Sequence, residues 1–244
     1  MIKKDHLVAD MTKSNKTIIN WLGLLGIVSF VSYIAAVILA LLAYPDYDWM
    51  SRAVSDLSAI NAPSLVLWNQ LTAFYGLCGI TSITLVCVFI QGKLSRGLRI
   101  GIYLFAIMQW ISGIGFTMFP LSDAGYTKAA TDASDAMTAM FANAQDTGHI
   151  VVTALVVVLS IISLLFIIVG GCRKKRYVSL AVWAVVALVM MMIGGVGTGV
   201  VPKEVFGIFQ RFSNISATGF NAVLGVYLFN GFNNYRIKTK FNNA

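Results

Sequence analysis

Of the 244 residues, 58% are apolar and 11% are charged, where a soluble domain carries roughly 25% charged residues. At a mean hydropathy of +0.79 there is too little polar side chain to cover a water-facing surface, so a soluble globular protein is excluded. The same apolar content excludes disorder, and three cysteines exclude a disulfide-stapled secreted domain, which leaves a polytopic membrane protein.

The chain opens with a tail, residues 1–20, carrying Lys3, Lys4, Lys13 and Lys16. The first charge-poor apolar run is 21–43; it is too long for a cleaved leader and lacks a small-x-small cleavage site, so it is read as retained. After Tyr44-Pro45-Asp46 comes a polar segment in which Arg52 and Asp56 pair at i,i+4, and Ser51, Ser55 and Ser58 share a face, if it is helical. The second run, 64–90, leads to Lys93, Arg96 and Arg99; the third, 100–119, ends in Phe119-Pro120-Leu121-Ser122-Asp123. The connection beyond it sets Met137, Met140, Phe141 and Ala144 at helical spacing, which predicts a short amphipathic helix on the outer interface. Runs 150–170 and 177–201 flank Arg173-Lys174-Lys175-Arg176, and the last run, 206–229, precedes a basic tail at 230–244.

About 20 residues at 1.5 Å each cross a ~30 Å hydrocarbon layer, so every run is long enough to span. Continuous rather than alternating apolarity selects helices over a barrel. The expected fold is therefore all-α: one membrane domain of six transmembrane helices, with short extracellular helices in the first and third connections. Tails and even-numbered connections hold 14 of the 18 basic residues, whereas the other side holds Arg52, Lys128, Lys203 and Arg211 with eight of the ten acids. The positive-inside bias predicts cytoplasmic termini in a plasma membrane, the basic loops meeting an anionic inner leaflet. The basic balance then needs no nucleic-acid partner.

Three spans end alike, at Pro45, Pro120 and Pro202, and Gly113 and Gly115 match Gly195 and Gly197 in their distance before the proline. This suggests three related helical hairpins, although prolines also simply stop helices. Gly194-Gly195-Val196-Gly197-Thr198-Gly199 has no preceding strand and no lysine in the phosphate-loop position; Gly195 and Gly199 read as a small-xxx-small packing pair. Cys78 and Cys87 lie out of phase on one helix and cannot bridge, and Cys172, beside a basic loop where a palmitoyl group could attach, reads first as an ordinary free thiol. Ser55 and Ser58 lack a nucleophile-elbow context.

Two groups of residues stand out as chemically capable. Arg211, Asn214, Thr218 and Asn221 recur at i, i+3, i+7 and i+10, a polar stripe that belongs inside the bundle as interhelical glue or as a ligand-lining face. The second group is Asp146 and His149 at the start of the fourth span, with Asp123 and Asp56 nearby in the outer segments. These could hold a divalent metal, act as an acid–base pair, or simply pair structurally. The chain's two histidines, His6 and His149, exclude a three-His zinc site, and no metal or cofactor is assigned.

The segment Tyr44-Pro-Asp-Tyr-Asp48 through Ser51-Arg-Ala-Val-Ser-Asp56-Leu-Ser-Ala, then Ala62-Pro63-Ser64 and Leu67-Trp68-Asn69, resembles a bacterial membrane family catalogued as domain of unknown function nine hundred and ninety-eight. Phe119-Pro120 with Asp123, His149, and Gly207-Ile-Phe-Gln-Arg211 extend the likeness over most of the chain. The chain departs from that pattern in the long Asp123-to-His149 connection and at Gln210, where an acid often precedes the arginine. The resemblance implies a six-helix membrane protein with polar motifs at one face and brings no activity. The leading expectation is an outward cavity, lined by the first outer segment and spans two, three, four and six. It would bind, and move, a small anionic or amphiphilic ligand such as a lipid headgroup. Arg211 would supply charge, Asn214 and Asn69 hydrogen bonds, Arg52 and Asp56 a rim, and Asp123 a further contact. The alternatives are an outer-leaflet hydrolase or transferase, acid–base or metal-assisted, with His149 as general base and Asp146, Asp123 or Asp56 orienting it or holding a metal, and a structural or regulatory subunit.

Overall fold

The computed structural model describes residues 16–123 and 143–232, which form helices and turns with no strand among them. The helices are α1 (Ile18–Leu22), α2 (Leu25–Leu39), α3 (Leu65–Phe89), α4 (Arg96–Met118), α5 (Ala144–Cys172), α6 (Val178–Gly197) and α7 (Phe206–Phe229). Single 3₁₀ turns follow α2 (Ala40–Ala43), precede α3 (Val54–Ser58), and lead into α6 (Lys175–Tyr177) and α7 (Lys203–Val205). Four of the long helices, and α1 with α2 taken as one span, are long and apolar enough to cross a membrane. α7 is equally long, and its polar stripe is what lowers its hydropathy. The expected amphipathic helix around Met137 lies outside the described residues, as do His6 and most of both tails.

Three helices begin earlier than the apolar runs suggest: α1 at Ile18, α4 and α5. α4 starts at Arg96, taking Arg99 into its first turn. α5 starts at Ala144, because the Asn143 side chain accepts from the Gln145 N–H at 2.9 Å and Asp146 sits in the positive first turn. At the other end of the chain, buried Asn20 accepts from the Thr17 N–H and donates to the Leu228 carbonyl, joining the start of α1 to the end of α7.

Each hairpin, α2–α3, α4–α5 and α6–α7, is closely packed, and α7 returns to pack on α2 and α3 as well as α6. α7 also meets α4: Gln109 donates to the Ala217 carbonyl, and Phe105 meets Phe220 edge-on at 5.2 Å. With neighbours on so many sides, its polar stripe faces protein. The apolar core, including Ile83, Leu98, Phe105, Ile167, Leu180 and Leu224, fills the half of the bundle toward the basic loops. Glycines set the closest crossings. A methyl on Gly194 would stand 2.3 Å from the Ser213 nitrogen, and one on Gly23 would stand 2.5 Å from the Gly225 oxygen. Gly195 meets Val157 of α5, whereas Gly199 touches only its own turn, so Gly194 rather than Gly199 makes the close approach to α7. The matched glycines play matched parts. Gly113 and Gly195 face the preceding helix through Ile80 and Val157, while Gly115 and Gly197 face the following one through Val152 and Phe209.

Candidate functional site

At one end of the bundle the 44–64 segment, which joins α2 to α3, ties the residues just after α4 to the first turns of α7. Asp46 turns the chain with φ of 59°, a left-handed geometry that aspartate tolerates. The Asp48 carboxylate then accepts from the Met50 N–H at 3.0 Å and from the Ser51 hydroxyl, and the Arg52 N–H bonds the Asp48 carbonyl at 2.9 Å. Arg52 is 8% exposed and Asp56 0%. They do pair, Nε to Oδ2 at 3.1 Å, across a bend and a 3₁₀ turn rather than along an α-helix. Arg52 Nη2 donates to the Tyr44 hydroxyl at 2.7 Å, and the guanidinium lies over the Tyr44 and Tyr47 rings at 4.6 and 5.2 Å. Burial works against the Arg52 charge, but the Tyr44 and Asp56 contacts outweigh it and hold its pKa above the ordinary arginine value.

Arg211 turns into the protein and grips this segment. Nη1 donates to the carbonyls of Trp49 at 2.7 Å, Gly207 at 2.7 Å and Arg52 at 3.3 Å, and Nη2 to the Tyr47 hydroxyl at 3.2 Å. Tyr47 in turn donates to the Ala53 carbonyl at 2.6 Å, and burial raises its pKa above the usual tyrosine value despite the nearby Arg211. Beside it, Gln210 accepts from the Val54 N–H at 2.6 Å, and the Ile208 N–H bonds Met50 O at 3.2 Å. The half-buried Arg211 charge is therefore held by neutral oxygens. One turn deeper, Asn214 bonds the buried Tyr33 hydroxyl; Tyr33 packs on Tyr75 at 5.0 Å and on Trp68 at 6.2 Å, and Tyr75 bonds Ser112. Thr218 returns its hydroxyl to the Asn214 carbonyl, and Asn221 donates to Gly79 O at 3.1 Å.

The other end of the segment meets α4 and α5. Ile60 N–H bonds Leu121 O at 2.9 Å, Asn61 donates to Asp123 at 2.6 Å, and Leu121 packs with Ala59 and Ala62. Asp146, 3% exposed, accepts from both the Ser122 N–H and hydroxyl, so its two oxygens pin the turn after α4 rather than orient the imidazole. Gln145 Nε2 donates to Pro120 O at 2.7 Å. His149 Nδ1 lies 2.9 Å from the Phe119 carbonyl, with its ring 4.9 Å from that of Phe116. A carbonyl only accepts, so Nδ1 carries the proton and Nε2 is the basic atom of the neutral ring.

The sequence candidates thus fall into two clusters: Arg52, Asp56 and Arg211, with Asn214 below, and Asp123, Asp146 and His149. Residues 57–62 join them. Asn69 stands apart, exposed on α3. Gln210, Tyr33, Tyr75 and Ser122 complete the networks, yet only Gln210 and Ser122 lie within motifs that the sequence makes visible. Among the described residues, no three of His, Cys, Asp and Glu gather as a metal site.

No curated protein and no solved structure matches the chain. The model of a family described as a protein of unknown function, DUF998, matches residues 27–227, a stretch that holds both clusters and every helix from α3 to α6. The match covers most of the chain, so this protein belongs to the DUF998 family.

Proposed function

We propose that this is a plasma-membrane protein with both termini cytoplasmic, whose outward end binds a small anionic or amphiphilic ligand such as a lipid headgroup. One observation carries the reading. The Arg211 guanidinium is half-buried and donates to neutral oxygens, so its charge is kept in a partly desolvated place while the neighbouring Arg52 charge is answered by Asp56. A partly desolvated positive charge of this kind attracts an anion more strongly than the same charge in water. Tyr47 and Asn214 supply neutral polar contacts above and below it. Arg211 also holds the outer segment, so the informative variant is Arg211→Gln, which removes the charge and keeps an N–H donor. Lipids and small molecules retained by purified protein, compared by mass spectrometry, are expected to lose an anionic component in that variant. An unchanged complement, with the outer segment still resistant to protease, refutes ligand binding at Arg211.

A second reading, an outer-leaflet acid–base enzyme, draws on the fixed tautomer of His149, whose Nε2 is a competent base. A His149→Gln protein that inserts normally and fully replaces the wild type in its own cell removes that reading.

A further inference from the structure

At the end of the bundle opposite Arg211, three chain segments enclose a cleft of about 370 Å³. Its walls come from the end of α3 and the turn after it (Phe89, Ile90, Lys93, Leu94), from the turn into α6 (Arg176, Tyr177), and from the end of α7 (Gly231, Phe232). We propose that this cleft binds the phosphoryl group of an anionic phospholipid, with Lys93 and Arg176 as the two cationic contacts.

Four observations converge on this chemistry. Lys93 and Arg176 belong to separate connections, yet the fold brings both to one cavity; each is exposed, with the charged group near an aromatic face. Lys93 Nζ is 3.3 Å from the Phe89 ring centre, and the Arg176 guanidinium 5.7 Å from that of Tyr177. The floor is apolar and buried, with Ile90, Leu94 and Phe232 all at most 5% exposed. A cationic rim over an apolar floor matches a headgroup joined to its glycerol and chains better than it matches a free ion. Phe232 is built into the cleft at a conformational cost. Its φ is 53°, after Gly231 at 63°, and its N–H reaches back to the Tyr227 carbonyl at 2.7 Å. This left-handed turn ends α7 and folds the Phe232 ring against Phe89 at 6.2 Å and Tyr227 at 5.7 Å. Finally, Tyr227 also lines an apolar groove of about 390 Å³ between α2, α6 and α7, alongside Phe30, Trp183, Met190 and Gly219. Space for an acyl chain therefore begins at the residue that touches the cleft wall.

The test is native mass spectrometry of the purified full chain, offered dioleoyl phosphatidylglycerol, dioleoyl phosphatidylcholine or inorganic phosphate. The anionic lipid is expected to be retained in preference to the zwitterionic one. The double variant Lys93→Gln with Arg176→Gln should weaken it by about 30-fold, from roughly fivefold per basic residue near an anionic headgroup. Both positions are exposed, so the variant should fold. A second variant, Arg173→Gln with Lys174→Gln, removes equal charge beside the cleft and should change retention little. Equal loss in both variants, or equal retention of the two lipids, overturns the site. Phosphate retained without lipid, and lost in the first variant, keeps the phosphoryl contact but overturns its membrane source. No residue is shared with the Arg211 site, so either reading can fail alone.

Discussion

Gly207 is where the docking of the 44–64 segment can be tested most directly. A methyl group there would lie 2.3 Å from the Arg52 oxygen, 2.6 Å from the Trp49 oxygen and 2.9 Å from Arg211 Nη1. Two of these atoms are backbone, so no side chain can swing away. The 49–52 stretch must retreat by roughly 1 Å to reach ordinary contact. That retreat strains the charged hydrogen bonds from Arg211, each worth about 1.5–3 kcal/mol, and adds an overpacking cost of about 1–3 kcal/mol. Gly207→Ala is therefore expected to weaken docking by about 3 kcal/mol, roughly a hundredfold in the open population. Arg52 itself supplies the assay, because trypsin cuts after it only when the segment opens. Cleavage at Arg52, followed by fragment mass in detergent, should accelerate by about that factor when opening is fast relative to cutting. Gly219→Ala is the control, since its methyl meets only Phe30, at 3.6 Å. If Gly207→Ala is cut at Arg52 no faster than wild type, Arg211 does not clamp the segment as described.

Three further outcomes are expected. Asp56→Asn strips the carboxylate from a nearly buried arginine and should cost about 3–5 kcal/mol in thermal stability, while Arg52→Met with Asp56→Leu should recover most of it; equal losses would refute the pairing. Tyr47 titrates higher in the folded protein than unfolded, so the folded state holds its proton longer. Its contribution is complete below the ordinary tyrosine pKa of about 10 and is lost as pH rises through the folded value; Tyr47→Phe should flatten that alkaline loss of stability. Cys172 is exposed next to the basic Arg173–Arg176 turn. A membrane-impermeant maleimide should therefore label it only after cells are opened, and labelling from outside would reverse the proposed orientation.

What the sequence determined by itself is the solvent and the class of fold. Transfer of apolar side chains into hydrocarbon is close to additive along a run, so a local window reveals helices that belong in a membrane. The Arg52–Asp56 spacing and the face carrying Arg211, Asn214, Thr218 and Asn221 are legible for the same reason, since both depend on neighbours within a few turns. Element starts are less so: α5 begins at Ala144 because of a cap and a charge rather than because of hydropathy. Only the packed tertiary structure decided what each polar group meets. Arg211 finds its acceptors on a segment some 160 residues earlier, Asp146 meets Ser122 instead of His149, and Asn69 is exposed on α3. Tyr33 and Tyr75 join the network from within apolar runs that offer no local sign of it. A hydrogen bond depends on position to within a fraction of an ångström, and for distant partners that position is set by how whole helices cross.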